Sequence, residues 1–464
     1  MYTPGFPAIL AVTGKIFGMA HTLAASFLAY NAVVTLLGVG CIGLYYFVLR
    51  ELEIPTGLFT TAFLFFAFSR TLYYYSVHIM TDVPFTFFAL AALLFGLLTR
   101  RLRGGKSWGA FSVMALMILV ASSIRPVGPL LALAITIGWW TRPKPLERWK
   151  LKAGQTGILW FLGGAALFCY SLWTRSMVSE GGFGYHYFRG MVTPDRFFRF
   201  FKILWTKLPL HLSGLSDTLM GTELGTTVGA ILAFLILIGL IKSFRRGERE
   251  LSFFTLLLGG VIIAIGWRLD RRYLLPATPV IFYWLALGLS ATGEWLRSRW
   301  EFWTSSRLQI LGYSCIGLVL LSNLVRIGDV ILEQRGEFYS EIEHGKLANY
   351  EPVFAWLREN RTPENTVVAA REASTSYYFT RMKIKQLPHD SRGYTSEKVV
   401  RWLGDVDFVI EDKTEPKSTA ALEELPRDGR MRFEEIDVGG AEQVQLLRVI
   451  AQDSSPEKEQ ENKR

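Results

Sequence analysis

Apolar stretches close to or beyond the ~20 residues that cross a bilayer recur along this chain, at 22–49, 56–76, 83–99, 107–124, 127–140, 154–174, 223–241, 251–267, 273–293 and 308–327. A water-soluble fold has no core large enough to hide them all. Half of the 464 residues are hydrophobic, and the spacing predicts a polytopic α-helical membrane protein of about ten transmembrane helices. Net charge is +10, yet residues 331–464 hold 20 basic against 26 acidic side chains, leaving 30 against 14 in the first 330. The positive excess therefore belongs to the membrane part. It argues for orientation by the positive-inside rule, with the lipid bilayer as partner, and against nucleic acid.

Basic clusters follow alternate spans: Arg100, Arg101, Arg103 and Lys106; then Arg142, Lys144, Arg148, Lys150 and Lys152; then Lys242, Arg245, Arg246 and Arg249; then Arg297, Arg299 and Arg307. Two spans separate each cluster from the next, so all four are expected on the cytoplasmic side. That parity puts the N-terminal end outside and exports everything after residue 330. Residues 1–21 are expected as an external or interfacial segment, because 6–19 are too short to cross and carry Lys15. Residues 22–330 form the membrane domain and 331–450 a soluble exported α/β domain. Residues 451–464 are a charged, disordered tail.

Within the exported domain, EPVFAWLREN reads as an amphipathic helix after a proline and VVAA as a buried strand. SEKVVRWLGD reads as a second helix running into the strand DFVI, and MRFEEIDVGGAEQVQLLRVI as a hairpin turned at Gly439-Gly440. Cys41, Cys169 and Cys315 all lie in apolar spans, which gives no disulfide framework. With no basic n-region, apolar core and cleavage site at its start, the given sequence is not expected to open with a signal peptide.

The unusual polar groups fall at the outward span ends. Asp82 follows Thr81 and precedes Val83-Pro84, the pattern of an acidic helix cap with proline in the first turn. An ionisable group at membrane depth is also a functional candidate. His78 lies four residues earlier; a helix running through both would put them on one face, where they could hold a divalent metal ion. Arg125 ends its span in SSIRPVGP, either snorkelling to lipid head-groups or offering a guanidinium fork to a phosphate. Asp270-Arg271-Arg272-Tyr273 reads either as an ion-paired interfacial belt or, since one acid cannot neutralise two arginines, as a corner with a cation left for an anionic ligand. The loop EGGFGYHYFRG, with Tyr185 and His186, could stack on sugar rings or anchor in the interface. Tyr2 stands at the same outward level. Walker, GxSxG, HExxH and paired-cysteine motifs are all absent, which removes support for nucleotide, serine and zinc hydrolysis. One acid among several arginines suits transfer from a phosphate-activated donor.

At these residues the sequence resembles the polyprenyl-phosphate-dependent integral-membrane glycosyltransferases of the GT-C class, the bacterial relatives of protein O-mannosyltransferases and lipid A aminoarabinose transferases. The matching pieces are YTPGFPAILAVTGKIFG, YYYSVHIMTDVPFTFFALAAL, SIRPVGPLLALAI and DRRYLLPATPVIFYWLALGL, followed by the exported α/β domain. The resemblance implies a polyprenyl-phosphate-linked sugar as donor, inversion at the anomeric carbon, and an extracytoplasmic acceptor that is a lipid, glycan or protein. The protein would sit in the bacterial cytoplasmic membrane. Arg272, with Arg271 or Arg125 and beside Tyr273, would hold the leaving phosphate. Tyr2, His78, Tyr185 and His186 would line the substrate cavity, and Asp82 would be a supporting acid that positions the acceptor or a metal. The main catalytic aspartate of such enzymes lies in a first external loop, ahead of the Pro-Gly-aromatic-Pro segment. Here Met1 abuts that segment. The expectation is a late start, with the chain as given transferring sugar slowly or not at all; the alternative is a non-catalytic polyprenyl-lipid binder or transporter on the same scaffold.

Overall fold

The computed structural model describes residues 5–16, 23–78, 80–141, 149–177, 202, 204–222, 224–264, 271–299, 305–343, 346–370, 376, 380, 382–386, 403–413, 431–439 and 444–451. The chain divides into two compact units, 1–330 and 331–464.

The first unit is helical. Its elements are α1 (Gly5–Ile16), α2 (Leu23–Glu51), α3 (Thr56–Ala67), α4 (Arg70–Ser76), α5 (Asp82–Arg101), α6 (Gly105–Ile124), α7 (Pro129–Trp140), α8 (Trp149–Met177), α9 (Leu208–Met220), α10 (Gly225–Arg246), α11 (Arg249–Ala264), α12 (Arg271–Leu274) and α13 (Thr278–Arg299). The boundary between the units falls within α14 (Ser305–Glu343). Where described, each of the apolar stretches read from the sequence is mainly helical. Five helices among the described residues are long and apolar enough to cross a membrane on their own, at Ala29–Glu51, Asp82–Arg101, Gly105–Ile124, Gly225–Arg246 and Ile310–Leu332. Such helices make this a multi-pass membrane protein.

The stretch 56–76, expected as one span, is two helices. Ser69 breaks it: its hydroxyl accepts from the Leu72 N–H and starts α4 afresh. A set of polar contacts then holds α4 in place. The Arg70 N–H donates to Asn323 Oδ1 at 2.9 Å, the Arg70 guanidinium to the Gly221 carbonyl at 2.6 Å, and the Thr71 hydroxyl to the Thr218 carbonyl at 3.1 Å. Asn323 completes the set by donating to the Leu219 carbonyl. Such bonds replace hydration that an apolar surround cannot supply.

α5 lies at the centre of the unit, packed against α2 and α6, and is buried on nearly every side. α10 and the first part of α14 instead expose apolar rows, including Ile231, Phe234 and Leu237 on α10 and Leu318 and Leu321 on α14. A soluble protein would not leave such rows bare; lipid contact explains them. Where α10 meets α13 the backbones touch. A Cβ at Gly239 would overlap the Trp284 carbonyl, and one at Gly288 the Leu235 carbonyl. Only glycine permits that approach.

At the end of α10 a buried acid is fully partnered. The Glu248 carboxylate accepts from Tyr283 OH at 2.8 Å, Ser243 Oγ at 2.9 Å and Arg246 Nε at 2.9 Å. Burial pushes its pKa up, and these hydrogen bonds offset part of the rise.

The second unit is a five-stranded sheet in the order β2-β1-β3-β5-β4, with β1 (Val367–Ala370), β2 (Lys383–Gln386), β3 (Phe408–Asp412), β4 (Met431–Ile436) and β5 (Val444–Ala451). β1, β2 and β3 are parallel, while β3–β5 and β4–β5 are antiparallel. Helix α15 (Lys346–Asn360) covers one face, placing Val353, Phe354 and Leu357 on Val368, Phe408, Ile410 and Leu446. The alternate residues Ala369, Val409 and Leu447 form a second core with Leu403 and Met431 on the other face. That division follows from the two-residue period of a strand. α15 begins before Pro352 rather than after it, so the proline sits inside the helix. Of the expected second helix at 396–405 only the last three residues are described, and the tail 452–464 lies outside the described residues.

Candidate functional site

The turn that ends α6 is dictated by two residues. Pro126 disfavours the helical conformation in the residue before it, and Arg125 is accordingly extended, with φ −141° and ψ 138°. Gly128 then folds back so tightly that a Cβ there would overlap the Ser122 backbone, while its N–H donates to the Arg125 carbonyl at 3.0 Å. Arg125 is thus turned off the end of α6 toward the start of α5. The first residue of α1, Gly5, packs directly on the neighbouring Ser123.

Three charged side chains meet at the start of α5. Asp82 is fully buried. Its Oδ1 accepts from Arg125 Nη2, and its Oδ2 lies 3.5 Å from Arg272 Nε. Arg125 is gripped further by its Nε, which donates to Thr81 Oγ1 at 3.2 Å, and by the Phe85 ring, 5.9 Å from its guanidinium carbon. Arg272 comes from the short helix α12, nearly 200 residues away in sequence, and stands over the ring of Tyr273 at 5.9 Å. The Arg125 side chain is 14% exposed and that of Arg272 is 38% exposed. Two guanidinium groups thus converge on one carboxylate. Charge-assisted contacts of this kind, in surroundings of low dielectric, are strong and directional.

Asp82 does not act as the expected cap. Thr81 holds the N-cap position without a side-chain bond, and Asp82 is the first helical residue with its carboxylate turned to the arginines. The opposite charges outcompete the backbone N–H groups for its oxygens. The shared helical face with His78 also fails to form. α4 ends at Ser76, leaving His78 in the connecting turn, its ring stacked on Tyr74 at 4.3 Å and its Nδ1 2.5 Å from the Tyr74 carbonyl. Among the described residues no group of three metal-ligating side chains occurs. With both oxygens of Asp82 facing guanidinium groups, the pair does not fit a divalent ion.

Asp82, Arg125, Arg272 and Tyr273 are therefore neighbours, while His78 stands apart on Tyr74. Arg271 opens α12, and its side chain lies outside the described residues, as do Tyr2, Asp270, Tyr185 and His186. Thr81 and Phe85 were not singled out in the sequence. Their contacts with Arg125 depend on the fold, although their place beside Asp82 was a usable hint.

No family model matches the chain, and no curated protein matches it. Solved structures do. The apo crystal structure of ArnT from Cupriavidus metallidurans is 13% identical, with a TM-score of 0.53 over 96% of this chain and 87% of that one. The chain has the GT-C fold. An Archaeoglobus fulgidus oligosaccharyltransferase, solved as a complex with Zn and sulfate, is also 13% identical, with a TM-score of 0.54 over 94% of this chain and 63% of that one. The oligosaccharyltransferase AglB of the same organism, solved with an inhibitory peptide and a dolichol-phosphate, gives a TM-score of 0.51 at 13% identity, over 97% of this chain and 66% of that one. The GT-C likeness accounts for the pairing of a helical membrane unit with a sheet-containing C-terminal unit.

Proposed function

We propose that this protein is a membrane glycosyltransferase that moves a sugar from a polyprenyl-phosphate donor to an extracytoplasmic acceptor. The observation that carries the reading is the convergence of two arginines from distant elements, Arg125 and the partly exposed Arg272, on one buried carboxylate. Arginine forks match phosphate oxygens, and the GT-C neighbour AglB was solved with a dolichol-phosphate. The alternating basic clusters support an orientation with this end of the helices outside the cytoplasm and the sheet unit exported, in a bacterial cytoplasmic membrane.

In the reaction a nucleophilic atom of the acceptor bonds to the anomeric carbon from the face opposite the phosphate. The bond from that carbon to the phosphate oxygen breaks, its electron pair going to the phosphate, and the acceptor proton passes to a base. Arg272 and Arg125 stabilise the charge that grows on the departing phosphate. Asp82 is not that base. Fully buried and facing a guanidinium with each oxygen, it is engaged with the arginines. The same observation also fits a carrier of polyprenyl phosphate that performs no transfer.

The test is transfer of a radiolabelled sugar from a polyprenyl-phosphate donor in proteoliposomes, run beside binding of unlabelled polyprenyl phosphate. Binding and transfer that both fall in Arg272→Ala support the enzyme; binding without transfer supports the carrier. A protein that binds polyprenyl phosphate no better than the neutral polyprenol sinks both.

A further inference from the structure

The last carbonyls of a helix have no further turn to supply them with N–H partners, and away from water another part of the protein must do so. At the end of α9 this happens four times in succession. The Thr218 carbonyl accepts from the Thr71 hydroxyl at 3.1 Å and that of Leu219 from Asn323 Nδ2 at 2.8 Å. The Met220 carbonyl accepts from the Ser322 hydroxyl at 2.6 Å, and that of Gly221 from the Arg70 guanidinium at 2.6 Å. Gly221 closes α9 in the left-handed region, at φ 69°. Two of the donors stand on α4 and two on α14, so three helices are fixed in one register. Asn323 joins all three. It is 1% exposed, accepts the Arg70 N–H at the start of α4 on its Oδ1, and donates from Nδ2 to the carbonyls of Leu219 and, in its own helix, Val319.

α4 and α9 are two of the elements against which α12 packs. α12 is only the four residues Arg271–Leu274, followed by a turn in which the Ala277 and Thr278 N–H groups donate to the Leu274 and Leu275 carbonyls at 2.8 and 3.2 Å. A single helical turn has too few hydrogen bonds to hold itself, so its place is set by what it rests on. Building, for its effect on the lipid, on the donor-phosphate reading above, we infer that Asn323 is a positioning residue for Arg272. By locking the end of α9 to α4 and α14, it fixes the surface beneath α12, and with it the reach of Arg272 to Asp82 and to the lipid phosphate. Arg272 Nε stands 3.5 Å from Asp82 Oδ2, where a shift of α12 by about 1 Å is enough to part them. Asn323 acts here through α4, α9 and α12.

The experiment combines hydrogen–deuterium exchange in detergent with binding of polyprenyl phosphate and of neutral polyprenol. It compares the full chain with its Asn323→Ala form, each with and without Arg272→Ala. In Asn323→Ala, exchange in the peptide 271–278 should quicken by about tenfold, while that of residues 83–98 in α5 keeps its rate. Polyprenyl phosphate should bind about five- to tenfold more weakly and polyprenol equally well, the range of coupling between residues that share a packed neighbourhood. In the Arg272→Ala background the same substitution should change polyprenyl phosphate binding by less than about twofold, because the group being positioned is gone. A loss that persists in that background, or one shared by polyprenol, would reduce Asn323 to a structural prop and overturn the inference. Unchanged exchange at 271–278, or equal quickening in every helix, would overturn it as well. Should Asn323→Ala fail to fold, Thr71→Val removes one hydroxyl from the same set of bonds. The same pattern is expected of it, and its absence would overturn the inference. If the unaltered protein binds polyprenyl phosphate no better than polyprenol, the donor-phosphate reading falls, and exchange at 271–278 alone decides whether Asn323 fixes α12. If polyprenyl phosphate binds in preference and Arg272→Ala weakens it, yet Asn323→Ala does neither of the things expected, only the inference falls.

Discussion

Arg125 and Arg272 hold the same carboxylate, yet removing them should have different consequences. Arg125 donates to Asp82 and to Thr81, is only 14% exposed, and closes the turn after α6. Truncating one member of a buried ion pair costs about 3–5 kcal/mol, because an uncompensated charge is left behind. Here Arg272 still faces the other oxygen, so about 2–4 kcal/mol is expected for Arg125→Ala. Arg272 is 38% exposed and its Nε is 3.5 Å from Asp82, a contact weakened by solvent. Its loss should cost about 1 kcal/mol or less in stability. Binding should reverse the emphasis. A charge-assisted contact to the lipid phosphate is worth about 1.5–3 kcal/mol, so Arg272→Ala should weaken polyprenyl phosphate binding by about ten- to a hundredfold while a neutral polyprenol binds both forms alike. The assays are thermal unfolding in detergent and a fluorescence titration with each lipid. Equal loss of both lipids in Arg272→Ala, or a larger fall in unfolding temperature for it than for Arg125→Ala, would refute this division of labour.

A reporter enzyme active only outside the cytoplasm, fused after residue 330, should be active; cytoplasmic activity would move Asp82 and both arginines to the wrong side for an extracytoplasmic acceptor. Glu248→Gln should flatten the pH dependence of stability. The folded pKa of Glu248 is raised by burial, so its neutral form is favoured and stability falls as pH rises from the ordinary carboxylate range through that raised value. Glutamine keeps the acceptor for Tyr283 without the charge, and an unchanged slope in thermal unfolding between pH 5 and pH 8 would exclude this residue as its source. Gly239→Ala should destabilise by about 1–3 kcal/mol, since its Cβ meets the Trp284 carbonyl, whereas Gly259→Ala, with open space around it, should be neutral or mildly stabilising. Similar unfolding temperatures for the two would argue against backbone contact between α10 and α13.

The helical part was legible because hydrophobicity over a bilayer's thickness is a local property: where described, each apolar stretch from 22–49 to 308–327 is mainly helix, with breaks inside 56–76 and, at residues 275–277, inside 273–293. The failure at 56–76 has a physical cause. FAFSRTLYYYS is apolar enough to read as a continuation, and what breaks it is Ser69 capping α4 while Arg70 and Thr71 bond to residues near 220 and to Asn323. In the sheet unit, VVAA, DFVI and the β4–β5 hairpin were visible as buried or alternating runs. β2 was not. KIKQ presents a single apolar residue, Ile384, and lies at the sheet edge, where only one neighbour has to be satisfied.

The site divides along the same line between local and distant causes. Charge imbalance in Asp270-Arg271-Arg272 and the misplaced arginine in SSIRPVGP could both be read locally, and they pointed to cations in search of an anion. What could not be read was that part of the anion is supplied by the protein. Asp82 has a local explanation as a helix cap, and at four residues from His78 it has a second as a metal ligand. Both explanations are consistent with its neighbours and neither survives the fold. Arg125 reaches it because Pro126 and Gly128 turn the chain, and Arg272 because α12 arrives from the far end of the helical unit. Three residues on three separate elements make one charged group, and no local reading of any one of them contains the other two.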